Sequence, residues 1–133
     1  VSRADAAHRV LLVEDDAKLA GLLARALHED GLRVERAATA EFALNLALGG
    51  GFDALVLDVL LPDGDGLALC ARLRRSGVEA PALIVSAVEH PGEGQLRSAG
   101  ANDFLAKPFA LSDFVDRVAR LIDRRLPALR RPT

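Results

Sequence analysis

Ala54-Leu55-Val56-Leu57-Asp58 decides the reading of this chain: four apolar residues in a row, closed by a carboxylate. An apolar run of this length without alternation suits a strand covered on both faces, as the strands of parallel sheets are. Val10-Leu11-Leu12-Val13 repeats the pattern upstream and is closed by Glu14-Asp15-Asp16. If the two runs are neighbours in one parallel sheet, three or four carboxylates meet at one edge. Carboxylates crowded that way repel, and would protonate or splay apart unless a divalent cation or a lysine sits among them. The chain has two lysines against fifteen arginines, and one of the two, Lys107, precedes Pro108 at the end of a third short apolar run. Such a pattern reads as a phosphoryl-transfer site.

Working outward, strand and helix signals alternate. Residues 9 to 14, 53 to 58 and 81 to 86 read as central strands. Leu32-Arg33-Val34-Glu35-Arg36-Ala37 alternates apolar and charged side chains, and residues 103 to 107 are short, so these two belong at the edges. Leu19, Leu22, Leu23, Ala26 and Leu27 fall at helical spacing before Gly31 and predict a helix over about 17 to 29. Thr39 starts a second helix around Phe42 and Leu46, stopped by Gly49-Gly50-Gly51. A third carries Leu67, Cys70 and Leu73 and stops at Ser76-Gly77; a last, over 111 to 124, aligns Leu111, Phe114, Val115, Val118, Leu121 and Ile122. Pro91, Gly92 and Gly94 stand where the fourth helix should begin, which predicts a short, late or mobile helix. Five strands joined by helices make a doubly wound α/β fold with a five-stranded parallel sheet, order 2-1-3-4-5, and ligands bind beyond the carboxyl ends of strands 1 and 3. Glu14, Asp15 and Asp58 fall there.

Composition narrows the classes. A chain of 133 residues suits one domain. No apolar stretch approaches the roughly 20 residues that span a bilayer, and no secretory signal opens the chain, which favours the cytoplasm and no membrane. The single cysteine, Cys70, excludes an internal disulfide and reads as a core residue on a helix. A net charge of −2 gives no basic field to hold nucleic acid. The late arginines, Arg117 and Arg120 among them, read as a solvated helix face. Residues 126–133 are basic and proline-punctuated, a linker-like tail, and the lack of any methionine suggests a processed or excised chain.

Magnesium prefers oxygen ligands and takes one or two carboxylates plus phosphate oxygens and water. Glu14, Asp15 and Asp58 supply the carboxylates. Asp58 can also be the nucleophile, since a carboxylate accepts a phosphoryl group as an acyl phosphate. Lys107 and the hydroxyl of Ser86 can neutralise the side away from the metal.

Val10-Leu11-Leu12-Val13-Glu14-Asp15-Asp16, Leu57-Asp58-Val59-Leu60-Leu61-Pro62 with Asp65-Gly66, Val85-Ser86-Ala87, and Phe104-Leu105-Ala106-Lys107-Pro108-Phe109 together resemble the receiver domains of bacterial two-component response regulators. Order and spacing agree over roughly residues 8 to 125, with 28 residues from Asp58 to Ser86 and 21 from Ser86 to Lys107. The resemblance implies a flavodoxin-like receiver domain over 8–125 in which Asp58 takes a phosphoryl group from a histidine kinase. It implies Mg²⁺ held by Glu14, Asp15, Asp58 and the Leu60 carbonyl, with Asp16 just outside as a helix cap. Lys107 would pair with the phosphoryl group, Ser86 would bond one of its oxygens, and Phe104 would be the switch aromatic; Lys107-Pro108 is expected to be cis. The last helix and the tail resemble the OmpR/PhoB winged-helix class. That class implies transcription regulation through a DNA-binding output domain outside these residues, and a phosphorylation-dependent homodimer through the fourth helix, fifth strand and fifth helix.

Such a domain is a regulatory phosphoacceptor, not an enzyme with a separate substrate. Two other functions compete: a pseudo-receiver that signals without phosphorylation, against which the intact acidic, hydroxyl and lysine set stands, and an aspartate-nucleophile phosphohydrolase, whose acid/base carboxylate would occupy the position of Leu60. In the family this chain resembles, the residues two places after the phosphoacceptor and two after the hydroxyl residue influence how water reaches the phosphoryl group; here they are Leu60 and Val88, which cannot orient water, so a long-lived acyl phosphate is expected. Asp63-Gly64-Asp65-Gly66 reads as a turn rather than a calcium loop. His90 reads as a solvated loop side chain without a partner.

Overall fold

The computed structural model describes residues 7–125. The linker-like tail expected at 126–133 lies outside the described residues. Five strands, β1 (Arg9–Val13), β2 (Arg33–Ala37), β3 (Ala54–Asp58), β4 (Ala82–Ser86) and β5 (Asp103–Ala106), form one parallel sheet in the order β2-β1-β3-β4-β5. Between them run α1 (Ala17–Glu29), α2 (Ala40–Leu48), α3 (Gly66–Arg75) and α4 (Glu93–Ala99), and α5 (Leu111–Arg125) closes the described chain. Leu60–Leu61 and Gly64–Asp65 add a two-residue antiparallel ladder after β3.

The apolar runs are continuous because both faces of the sheet are covered. Leu11, Val13, Leu55, Leu57 and Ile84 pack with α2, α3 and α4, while Val10, Leu12, Val56, Leu83 and Val85 pack with α1 and α5. Side chains alternate between faces along a strand, so each run feeds two cores at once. Cys70 is fully buried in the first core and Phe114 in the second, where it stacks on Phe109 with ring centroids 5.7 Å apart. The two edge strands, β2 and β5, show the mixed burial of half-covered strands along most of their length, as their place at the edges predicts.

Helix starts follow the capping residues. Asp16 Oδ1 accepts from the amides of Lys18 and Leu19, Thr39 Oγ1 from Phe42, and Asp65 Oδ1 from Leu67. The fourth helix is short and late as expected: α4 has seven residues and no side-chain cap, enters through Gly92 at φ 98° and leaves through Gly100 at φ 83°. Two readings need correction. His90 is exposed, as expected, but it is not without a partner, because its ring lies against Phe104 and its Nδ1 accepts from the Gly92 amide. Arg117 is not simply solvated, because it donates to Asp103, Asp113 and the Phe104 carbonyl, tying α5 to the edge strand β5; of these partners only Asp113, four residues earlier on the same helix, stands at a helical spacing in the sequence.

Candidate functional site

The register Val10↔Ala54 to Val13↔Leu57 brings the ends of β1 and β3 side by side, so Glu14 and Asp58 leave the sheet together. Both are buried. Lys107, just past β5, reaches back across the end of β4, its amide bonded to the Ser86 carbonyl at 2.8 Å. Its Nζ lies 2.9 Å from Glu14 Oε1 and 2.9 Å from Asp58 Oδ2. The other Asp58 oxygen, Oδ1, accepts from the Leu60 amide at 3.1 Å, and Glu14 Oε2 accepts from the Asp16 amide at 3.0 Å. Asp15 is exposed at the mouth. Among the described residues, Glu14, Asp15 and Asp58 place one oxygen each within 4.8 Å of one another.

The electrostatics follow from burial. Loss of water raises the Glu14 carboxyl above the ordinary glutamate range; the Lys107 bond and the Asp16 amide oppose this, and neighbouring Asp58 adds to it. For Lys107 burial would lower the ammonium, but the bonds to Asp58 and Glu14 outweigh it and the group is raised. Lys107 therefore stays a cation between two carboxylates. When ionised, Glu14, Asp15 and Asp58 set three carboxylates against the single cation Lys107, and their donors are hard oxygens suited to a divalent cation.

Ser86 ends β4 fully buried, and its Oγ accepts from the Val88 amide at 3.0 Å. Phe104 sits on β5, half-buried against the α2–α4 core, with its ring centroid 4.7 Å from that of His90. The Lys107–Pro108 peptide is cis. Leu60 and Val88 are exposed apolar side chains, at 57% and 43%. Glu14, Asp15, Asp58 and Lys107 are thus brought together, Ser86 lies at the end of the strand next to β3, and Phe104 stands further along the edge.

Two supporting residues escaped the sequence reading. Asp63 caps the first turn of α2, its Oδ1 and Oδ2 accepting from Ala40 and Glu41 at 2.7 and 3.0 Å, and these amides lower its carboxyl. This holds the loop after Asp58 against a helix from elsewhere in the chain. Gly66 lies so close to the end of β3 that a Cβ there would stand 2.1 Å from the Asp58 carbonyl oxygen. The Asp63-Gly64-Asp65-Gly66 run did carry a signal, read as a turn; both aspartates are caps, one local and one tertiary.

A parallel sheet of this order, wound on both faces, with an acidic cluster beyond its carboxyl edge, defines the flavodoxin-like α/β class, and comparison with known proteins gives the family. The response regulator receiver domain family matches residues 10–119, and the chain belongs to it. It is 45% identical over 129 residues to the transcriptional regulatory protein TcrA of Mycobacterium tuberculosis, covering 94% of this chain and 49% of TcrA. It is 39% identical over 120 residues to the response regulator MprA of Mycolicibacterium vanbaalenii, covering 90% of this chain and 52% of MprA. Among solved structures, the non-phosphorylated HemR receiver domain of Leptospira biflexa aligns with a TM-score of 0.79 at 38% identity, over 95% of this chain and 98% of that one. TcrA and MprA are of the OmpR/PhoB type anticipated above. The chain spans about half the length of the curated relatives it matches. Among the described residues no helix is long and apolar enough to cross a membrane.

Proposed function

We propose that this chain is a phosphorylation-controlled switch in which Asp58 accepts a phosphoryl group from a histidine-kinase phosphohistidine in a Mg²⁺-dependent reaction. The observation that carries the reading is the position of Asp58: buried, one oxygen held by Lys107 and the other by the Leu60 amide, with Glu14 and Asp15 beside it. A carboxylate so fixed loses little freedom on reaching the phosphorus, which is most of what phosphoryl transfer asks of a protein. One Asp58 oxygen bonds to phosphorus as the phosphorus–nitrogen bond breaks, and the departing imidazole nitrogen keeps the electron pair.

Glu14, Asp15 and Asp58, with the Leu60 carbonyl, would hold Mg²⁺, which when bound supplies positive charge against the phosphoryl oxygens. Lys107 already makes a bond to Asp58 that can pass to a phosphoryl oxygen. Ser86 accepts from the Val88 amide and keeps its own hydroxyl proton for donation to the same group. Movement of Ser86 toward the phosphoryl group would be matched by Phe104 turning inward, carrying the change to α4, β5 and α5 and favouring a homodimer there. Control of transcription would come through a DNA-binding domain elsewhere in the protein, as the name of TcrA suggests. Leu60 and Val88 are exposed and apolar, and neither side chain can orient water, which supports a slowly hydrolysed acyl phosphate.

Intact-mass spectrometry after incubation with Mg²⁺ and acetyl phosphate tests the reading. One phosphoryl adduct, lost with EDTA and in Asp58→Asn, is the expected result. A folded, Mg²⁺-binding protein without an adduct would instead make this a receiver that signals without phosphorylation.

A further inference from the structure

An isolated helix shorter than about 12 residues is marginal in water, so α4 exists by virtue of what ties it down. Its two ends are tied very differently. At the carboxyl end the Gly100 carbonyl accepts from Arg74 Nε at 3.0 Å and Nη2 at 2.8 Å. The same guanidinium donates from Nη1 to the carbonyls of Val78 and Ala80 at 3.0 and 2.7 Å. Nη2 also reaches Asn102 Oδ1 at 3.2 Å, and that oxygen accepts from the Ala82 amide at 2.8 Å. One rigid charged fork thus joins the end of α3, the entry to β4, the end of α4 and the entry to β5.

At the amino end there is no side-chain cap, and the chain enters through Gly92 in the left-handed region. Here His90 bridges two elements. Its Nδ1 accepts from the Gly92 amide at 2.8 Å, its Nε2 lies 3.7 Å from Glu93 Oε2, and its ring meets that of Phe104 at 56°. A single imidazole therefore touches both the entrance of α4 and the aromatic side chain of β5.

We propose that His90 is a positioning residue that ties the Phe104 ring to the entrance of α4, while Arg74 fixes the far end, so that α4 moves by swinging from its amino end about Gly100. The proposal deepens the switch reading above and rests on it only for what drives the swing; the attachments themselves belong to the unphosphorylated protein.

The test uses the unphosphorylated chain, read by hydrogen exchange and by fluorine NMR of 4-fluorophenylalanine, with Phe104→Leu assigning the Phe104 signal. His90→Asn keeps an acceptor near the position of Nδ1 and removes the ring; His90→Phe restores a ring. The expected result is a shifted Phe104 signal in His90→Asn, with exchange about two- to tenfold faster over residues 88–96 and unchanged over 97–102, and recovery of the Phe104 signal alone in His90→Phe, which restores the ring but offers no acceptor to the Gly92 amide. Arg74→Gln should instead accelerate exchange over 97–102. An unmoved Phe104 signal in His90→Asn, equal acceleration along the whole of 88–102, or no recovery of the Phe104 signal in His90→Phe would overturn the proposal. Failure of wild-type protein to take up a phosphoryl group would refute the proposed function and leave this comparison to be decided by its own readouts.

Discussion

The two ends of the same sheet both carry charged clusters, and they differ in kind. At the carboxyl end Glu14 and Asp58 have side chains 1% and 5% exposed, and one lysine, 21% exposed, stands between them. At the amino end Arg9 pairs with Glu35, lies 4.4 Å over the Phe52 ring and donates to the Gly50 carbonyl, while its amide and His8 meet Asp53. Those side chains are 25–43% exposed. The amino end is a half-exposed seam, Arg9 with Glu35 and His8 with Asp53, that water already screens; the carboxyl end concentrates acid where water is scarce, leaving it ready to take up a cation. Burial and imbalance, rather than the number of charges, separate a reactive site from a structural one.

The largest expected contrast is chemical. Asp58→Asn should abolish phosphoryl uptake, measured by intact mass, whereas Arg9→Ala should label like the wild type; labelling lost in Arg9→Ala would erase the distinction between the ends. Gly66→Ala should be the most disruptive substitution near the site, because its Cβ would meet backbone rather than a movable side chain. We expect a loss of more than about 2 kcal/mol in urea unfolding, with slowed labelling.

Lys107→Ala leaves Glu14 and Asp58 facing each other without a cation. A loss of roughly 1–3 kcal/mol at neutral pH is expected without Mg²⁺, below the range for a fully buried pair because Lys107 is partly exposed. The sign of its pH dependence is fixed by Glu14. A carboxyl raised in the folded state is stabilising to the fold when protonated, and that contribution is lost as pH rises from the ordinary glutamate range through the raised one. Losing Lys107 removes the bond that lowers the Glu14 carboxyl, so Glu14 is raised further in Lys107→Ala, the variant gains more on protonation, and its deficit should shrink on acidification, followed by urea unfolding at several pH values; a deficit that grows would refute the account.

A polar side chain at Leu60, as in Leu60→Asn, should shorten the acyl-phosphate lifetime about tenfold by giving water a partner, equivalent to ~1.4 kcal/mol in the barrier. A wild-type lifetime of only seconds at neutral pH would contradict the role given to Leu60 and Val88. The smallest effect is expected at the amino end: Arg9→Ala should lower stability by about 1 kcal/mol, the scale of an exposed cation–aromatic contact and a screened ion pair.

How far the site was legible in the sequence depended on where each residue sits. Glu14, Asp15, Asp58, Ser86 and Lys107 lie at the ends of strands or just past them, and a parallel sheet of known order brings strand ends together whatever the loops do. Asp16, Thr39 and Asp65 were readable or nearly so because a cap acts within three residues of itself. Asp63, Arg74, His90 and Arg117 were not, since each acts on a different element through a side chain whose direction periodicity does not encode. Asp63 illustrates the difference: two residues before Asp65 in one turn, it caps α2 rather than its own helix.

The sequence by itself determined five strands buried on both faces or at an edge, the helices between them, and the carboxylates and lysine that close those strands, because hydrophobic period and strand-end chemistry are local properties. Tertiary structure alone decided that Asp63 would hold the loop after Asp58 on α2, that Gly66 would lie against the Asp58 carbonyl, and that α4 would be tied by Arg74 at one end and His90 at the other. The physical reason is that these contacts join residues whose meeting depends on the path of loops and the reach of long side chains, and neither leaves a period in the chain.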